Sequence, residues 1–159
     1  MAATQKTKQG EKRVLARNKR ARHDYEILET LDAGLVLKGT EVKSAREGRI
    51  QLKDSYVTVT DGEAWLVGAH ISPYSHGTHV NHDPERPRKL LLHRRELDKV
   101  MGRTTIKGET AVPLSVYLDG NWIKVEVALA RGKKLYDKRH EERKKIAQRE
   151  AEEAIRGRR

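Results

Sequence analysis

Two Asp-Gly turns constrain this chain more than anything else in it. Asp61-Gly62 lies between Tyr56-Val57-Thr58-Val59-Thr60 and the run Glu63–Ala69, and Asp119-Gly120-Asn121 lies between Leu114–Leu118 and Trp122–Ala130. Asp-Gly reaches positive φ at little cost and the flanking β-branched and aromatic residues favour extended backbone, so each turn predicts a tight antiparallel hairpin. Tyr25–Leu31 and Leu35–Leu37 add two short strands about a turn at Asp32–Gly34, and Thr104–Val112 reads as a strand pair or a bend about Lys107-Gly108. About six short antiparallel strands with tight turns favour closure into a small barrel, because closure removes exposed edges. The expected fold is therefore mainly β, a small closed antiparallel β-barrel with two or three short helices.

The helices are weaker signals. Thr40 can cap a helix over Glu41–Glu47 that Gly48 stops, with Val42 and Ala45 facing inward. Apolar residues at 90, 91, 92, 97, 100 and 101 fit one helix ending at Gly102, although Leu90–Leu92 alone also reads as a strand. At the far end Ile146, Ala147, Ala151, Ala154 and Ile155 form a thin apolar stripe among charged residues. That face is too narrow to dock firmly, so the tail is expected to be frayed alone and helical on a partner.

The formal charge of +11 is unevenly placed: residues 1–23 carry +7, residues 24–130 carry −2 and residues 131–159 carry +6. The chain divides accordingly into an arm over 1–17, expected to be disordered because it has almost nothing to bury, a domain over 18–130 and a basic tail over 131–159. Basic ends on a near-neutral body point to a folded polyanion, and no recognition helix suggests duplex DNA. Lys19, Arg20, Arg22, His23 and Tyr25 offer phosphate-neutralising charge beside rings that stack on unpaired bases. Gly132 breaks the last strand so that Arg131, Lys133, Lys134, Lys138 and Arg139 can fan out.

Chemistry-bearing patterns are few. There is no Cys, which removes thiolate catalysis, disulfides and Cys-ligated metals. No run reaches the ~18 apolar residues of a membrane span, and the first residues lack the apolar stretch of a secretory leader, so a cytoplasmic protein is expected. His76, His79 and His82 are three apart, yet Pro73, Pro84 and Pro87 deny them helical geometry, and no metal is assigned. Ser72 and Ser75 lack a nucleophile elbow, His23-Asp24 lacks an acidic metal cluster for nuclease work, and no Walker loop is present. No enzyme activity and no cofactor are expected.

From Asn18 to Arg139 the motifs resemble the small protein B family, bacterial proteins that bind transfer-messenger RNA (tmRNA). The resemblance rests on Asn18–His23, Asp32-Ala33-Gly34, Gly39–Ser44, Asp54-Ser55-Tyr56, Arg88–Leu92, Gly132-Lys133-Lys134 and Asp137-Lys138-Arg139. It implies a barrel related to the OB-fold, binding to the tRNA-like part of tmRNA, support of its alanylation, and entry into stalled ribosomes with elongation factor Tu. Alanyl-tRNA synthetase and the factor would then be partners through tmRNA. The resemblance also implies that Asn18, Asp32 and Leu91 serve tmRNA binding, Asp32 standing where the family usually has Glu. Gly34 and Lys43 lie in the same shared motifs and are counted with them. It implies that His23 meets the decoding centre, and that Gly132, Asp137, Lys138 and Arg139, with Lys133 and Lys134 beside them, act on the ribosome, where the tail enters the empty mRNA channel. The charges alone fit a generic barrel RNA chaperone or ribosome-associated protein equally well.

Overall fold

The computed structural model describes residues 12–75, 80–133 and 135–157. Nine strands and four helices follow in the order β1 (Lys12–Arg17), α1 (Ala21–Asp24), β2 (Tyr25–Leu35), α2 (Gly39–Arg46), β3 (Ile50–Gln51), β4 (Tyr56–Thr60), β5 (Glu63–Val67), β6 (His70–Ile71), β7 (Arg88–Leu91), α3 (Arg94–Thr104), β8 (Glu109–Asp119), β9 (Trp122–Gly132) and α4 (Leu135–Gly157). Six strands close on themselves in the antiparallel order β8-β4-β5-β7-β2-β9 and back to β8, which is the expected barrel topology. The β3–β6 pair stands apart as a two-stranded sheet.

Both Asp-Gly hairpins form as read. Asp61 (φ 53°) and Gly62 (φ 74°) both sit in the left-handed region that a tight turn needs, and Gly120 (φ 61°) does so between β8 and β9. Alternation then sends Val125, Val127 and Leu129 of β9 into a ring interior shared with Val57, Leu66, Leu90 and Val116. A second, smaller apolar cluster of Ala21, Val112, Leu114, Ala128 and Ala130 lies beside it, with Tyr25 and Ile27 packed on it.

Several local expectations are corrected. Residues 12–17 are strand rather than arm: β1 pairs with the second half of β8, burying Leu15. Its Val-Leu-Ala core is short, but a strand edge supplies the backbone bonds that a free arm lacks. Asp32–Gly34 makes no turn; β2 runs straight through it, paired with Glu126–Lys124 of β9. Gly34 is there for space instead, since a Cβ would stand 3.3 Å from the Leu91 Cβ. The segment 104–112 is likewise no separate pair: β8 starts at Glu109 after Gly108 (φ 86°) and carries a register shift at Pro113, where a ladder donor is missing. Leu90 and Leu91 belong to β7, and the following helix begins only at Arg94, where the His93 N–H donates to Glu96 Oε1 at 3.2 Å.

Thr40 does not cap α2. The helix starts at Gly39, and Glu41 reaches back to accept the Lys38 N–H at 2.8 Å. At the other end β9 reaches Gly132, opposite Tyr25, so the ring outlasts residue 130 by two positions. Residues 135–157 are one helix, and its residues 143–154 are exposed. Strong helix formers (Ala, Glu, Lys, Arg, Gln) favour that helix with little burial. Residues 1–11, His76, His79 and Lys134 of the sequence reading lie outside the described residues.

Candidate nucleic-acid interface

The β2–β9 ladder carries the candidate residues at its two ends. Gly34 pairs with Lys124 at one end and Tyr25 with Gly132 at the other. At ~3.3 Å per residue these ends are about 30 Å apart.

At the first end Asp32, Gly34 and Leu91 share one shallow depression with Lys124, His93 and Glu96. Leu91 could have been a core residue; it is 54% exposed instead, seated over the bare Cα of Gly34. Asp32 is exposed and is held from behind by the Tyr117 hydroxyl, which donates to its Oδ1 at 2.9 Å. Burial, followed by the adjoining Asp32 carboxylate, pushes the Tyr117 hydroxyl well above the usual phenol range, so it stays a donor. Lys124 Nζ lies 3.5 Å from Asp119. The depression therefore offers a fixed acceptor, a cation and an exposed apolar side chain. Tyr117 and Lys124 were not legible as parts of it, because only the β2–β9 and β8–β9 registers bring them beside Asp32 and Gly34.

At the other end α1 is fastened by Ala21, 2% exposed in the small apolar cluster, and by Asn18. The Asn18 side-chain amide donates to the Pro113 carbonyl at 3.0 Å and its backbone N–H to that of Leu114 at 2.8 Å, using the carbonyls that the irregularity in β8 exposes. Its side chain is thus committed to the fold. His23 Nδ1 lies 3.1 Å from Asp24, and Arg22 is exposed on the same turn. Lys133 joins this end: its N–H donates to the Asp24 carbonyl at 3.0 Å and its Nζ to that of Arg22 at 2.9 Å. So His23, Arg22, Gly132 and Lys133 are brought together, and α4 leaves from the same place to touch α1. Asp137, Lys138 and Arg139 fall within α4, while their side chains lie outside the described residues. Lys19, Arg20 and Tyr25 face a separate cleft between α1 and residues 50–56. Lys43 joins neither end; it lies on α2 with Nζ 5.3 Å from the centre of the Tyr74 ring.

His82 is spent on the fold. Its Nε2 lies 2.8 Å from the Ile71 carbonyl, which makes it the protonated nitrogen, and its Nδ1 accepts from Thr40 Oγ1 at 2.8 Å. Among the described residues no group of three or more His, Cys, Asp or Glu is arranged to hold a metal, and no helix is long and apolar enough to cross a membrane.

A small antiparallel barrel with cation-bearing, ring-bearing patches on its rim defines a nucleic-acid-binding module of the OB-like kind. The profile of the SmpB protein family matches residues 15–157, and the chain belongs to that family. It is 53% identical over 146 residues to the SsrA-binding protein of Carboxydothermus hydrogenoformans, covering 92% of this chain and 98% of that one. With the SsrA-binding protein of Geobacillus thermodenitrificans it shares 56% identity over 149 residues, covering 94% and 96%. A chain from a solved structure described as "tmRNA-SmpB: a journey to the center of the bacterial ribosome" superposes with a TM-score of 0.65 at 50% identity, covering 76% of this chain and 85% of that one.

Proposed function

We propose that this protein binds tmRNA and works with it on stalled ribosomes in trans-translation, as an RNA-binding partner that makes and breaks no covalent bonds. Asp32, Gly34 and Leu91, joined by Lys124, take the tRNA-like part of the RNA and support its alanylation. The opposite end, with His23, Arg22, Gly132 and Lys133, faces the decoding centre. From that root α4 follows the mRNA channel when it is empty, because an occupied channel excludes a second polyanion-seeking segment. Alanyl-tRNA synthetase and elongation factor Tu join through the RNA.

The observation that carries this reading is the spacing of two groups along one ladder: Asp32, Gly34 and Leu91 gather at one end, and His23, Gly132 and Lys133 gather about 30 Å away at the other, with Asn18 beside the second group and Lys43 at neither end. A rigid spacer with two working ends suits a protein that must touch an RNA ligand and a ribosome together. Binding to tmRNA in the presence of excess bulk tRNA tests it. Selective binding is expected, whereas equal displacement by any RNA would leave only a general chaperone. Deleting residues 134–159, which spares β9 and Lys133, should keep tmRNA affinity and abolish tagging of stalled products. Normal tagging by the truncated protein would overturn the role of the tail.

A further inference from the structure

A cleft of about 830 Å³ lies away from the Asp32 depression, between the α1 segment and residues 50–56. Arg17, Lys19 and Arg20 line one wall, and Lys53 and Tyr56 the other. The side chains of Arg17, Lys19 and Lys53 have no ion-pair or hydrogen-bond partner among the described residues. Elsewhere Lys89 and Lys124 on the ring pair with Glu63 and Asp119, and Lys99 on α3 pairs with Glu29. Four cations, Arg17, Lys19, Arg20 and Lys53, thus line this one cleft. Asp24 and Asp54 also line it, but Asp24 already meets His23 and Arg20.

The far wall is built rigidly. Asp54 adopts φ 62°, rare for a residue with a side chain, and Ser55 is buried with its Oγ donating to the Leu52 carbonyl at 2.6 Å. Gly68 (φ 84°) lies against this turn, where a Cβ would stand 3.1 Å from the Asp54 carbonyl oxygen and 3.3 Å from the Ser55 Cα. The turn is therefore fixed from three sides and presents Lys53 and the Tyr56 ring, 46% exposed, at the cleft edge.

We propose that this cleft is a second RNA site, separate from the Asp32 depression, that takes an unpaired RNA strand: phosphates on Arg17, Lys19 and Lys53, and a base stacked on Tyr56. Its volume lies in the ~300–1,000 Å³ range of small-ligand sites, enough for a stretch of one strand and too small for a duplex. Cations alone suit any polyanion, and the exposed ring at their edge favours bases. The inference shares with the proposed function only that the partner is RNA.

The test uses the full chain and a labelled, unstructured oligoribonucleotide of about 10 nucleotides, within the usual span of a single-strand site. R17Q and K53Q should each weaken binding several-fold and flatten the log affinity against log salt slope by about 0.7. Y56A should weaken it about tenfold or more with the slope unchanged, and Y56F should restore it. Thermal melting of each variant checks folding, and crosslinks from 4-thiouridine in the strand should map to residues 50–56. Wild-type affinity in Y56A, equal affinity for a duplex of the same sequence, or equal displacement by polyglutamate would each overturn the site. D32N separates the two readings: it should lower affinity for the tRNA-like RNA and leave the short strand unaffected. If the wild-type chain shows no preference for tmRNA but Y56A still loses the strand, the proposed function fails and the cleft stands.

Discussion

Glu41 and Arg88 meet inside the protein with Arg88 Nε 2.6 Å from Glu41 Oε2 and neither side chain exposed to solvent. Arg86 bonds the other carboxylate oxygen, and Arg88 also donates to the carbonyls of Ala69 (2.7 Å) and Pro84 (2.9 Å). This one guanidinium ties α2, β7 and the long segment after β6 together. Replacing only one partner leaves a buried charge uncompensated, which costs about 3–5 kcal/mol. Urea unfolding of E41A is expected to show a loss of that size, and the volume-matched E41L/R88M pair should recover much of it. A double variant no better than E41A would show that the pair does more than neutralise itself.

Acid should act on the same cluster. Burial alone pushes the Glu41 carboxyl up, but hydrogen bonds from Arg86, the Lys38 amide and Arg88 outweigh it and hold the group below the ordinary Glu value. A depressed folded-state value stabilises the fold fully above the unfolded-state value near ~4.3, and the contribution disappears as pH falls through the lower folded value. Urea midpoints measured from neutral pH down into that range should fall for the wild type and fall less steeply for E41Q.

Tyr117 and Asp32 form a smaller couple with a functional readout. Burial is the first reason the phenol resists ionisation and Asp32 the second, so D32N should lower the titration midpoint of Tyr117 while leaving it above that of a free tyrosine. Ultraviolet titration of the phenolate reads this directly. Y117F removes the donor that fixes Asp32; it should cost about 0.5–1.5 kcal/mol of stability and weaken tmRNA binding more than that loss explains. Unchanged RNA affinity in Y117F would mean that Asp32 needs no positioning.

The ring was legible because tight-turn chemistry and period-two alternation are local, and both hairpins formed at Asp61-Gly62 and Asp119-Gly120. The errors came where a residue type has two uses. Gly34 read as a turn former, yet its missing Cβ makes room for Leu91, and Thr40 read as a helix cap, yet its hydroxyl bonds His82. The motifs at 39–44 and 88–92 carried the family resemblance as separate pieces, and the Glu41–Arg88 bond shows what joins them. Register was beyond reach. Lys124 and Tyr117 come to Asp32, and Lys53 and Tyr56 to Lys19, through pairings between segments far apart in the chain. No spacing in the sequence encodes those encounters.

Gly34 and Leu91 allow function to be separated from folding. Gly34 is not in a positive-φ conformation, so Ala is sterically allowed on the backbone, but its Cβ would stand 3.3 Å from the Leu91 Cβ and displace that side chain by a few tenths of an ångström. Because Leu91 is 54% exposed, the shift opens no core cavity. G34A and L91A should therefore cost less than about 1 kcal/mol each, against the ~2–5 kcal/mol of a core Leu→Ala truncation such as L66A. Both should nonetheless weaken tmRNA binding several-fold, and G34V more than G34A. Because the two residues act through one contact, the double variant G34A/L91A should lose little more than L91A alone. Additive losses would place Gly34 against the RNA itself, and a core-sized stability loss in L91A would return Leu91 to the interior.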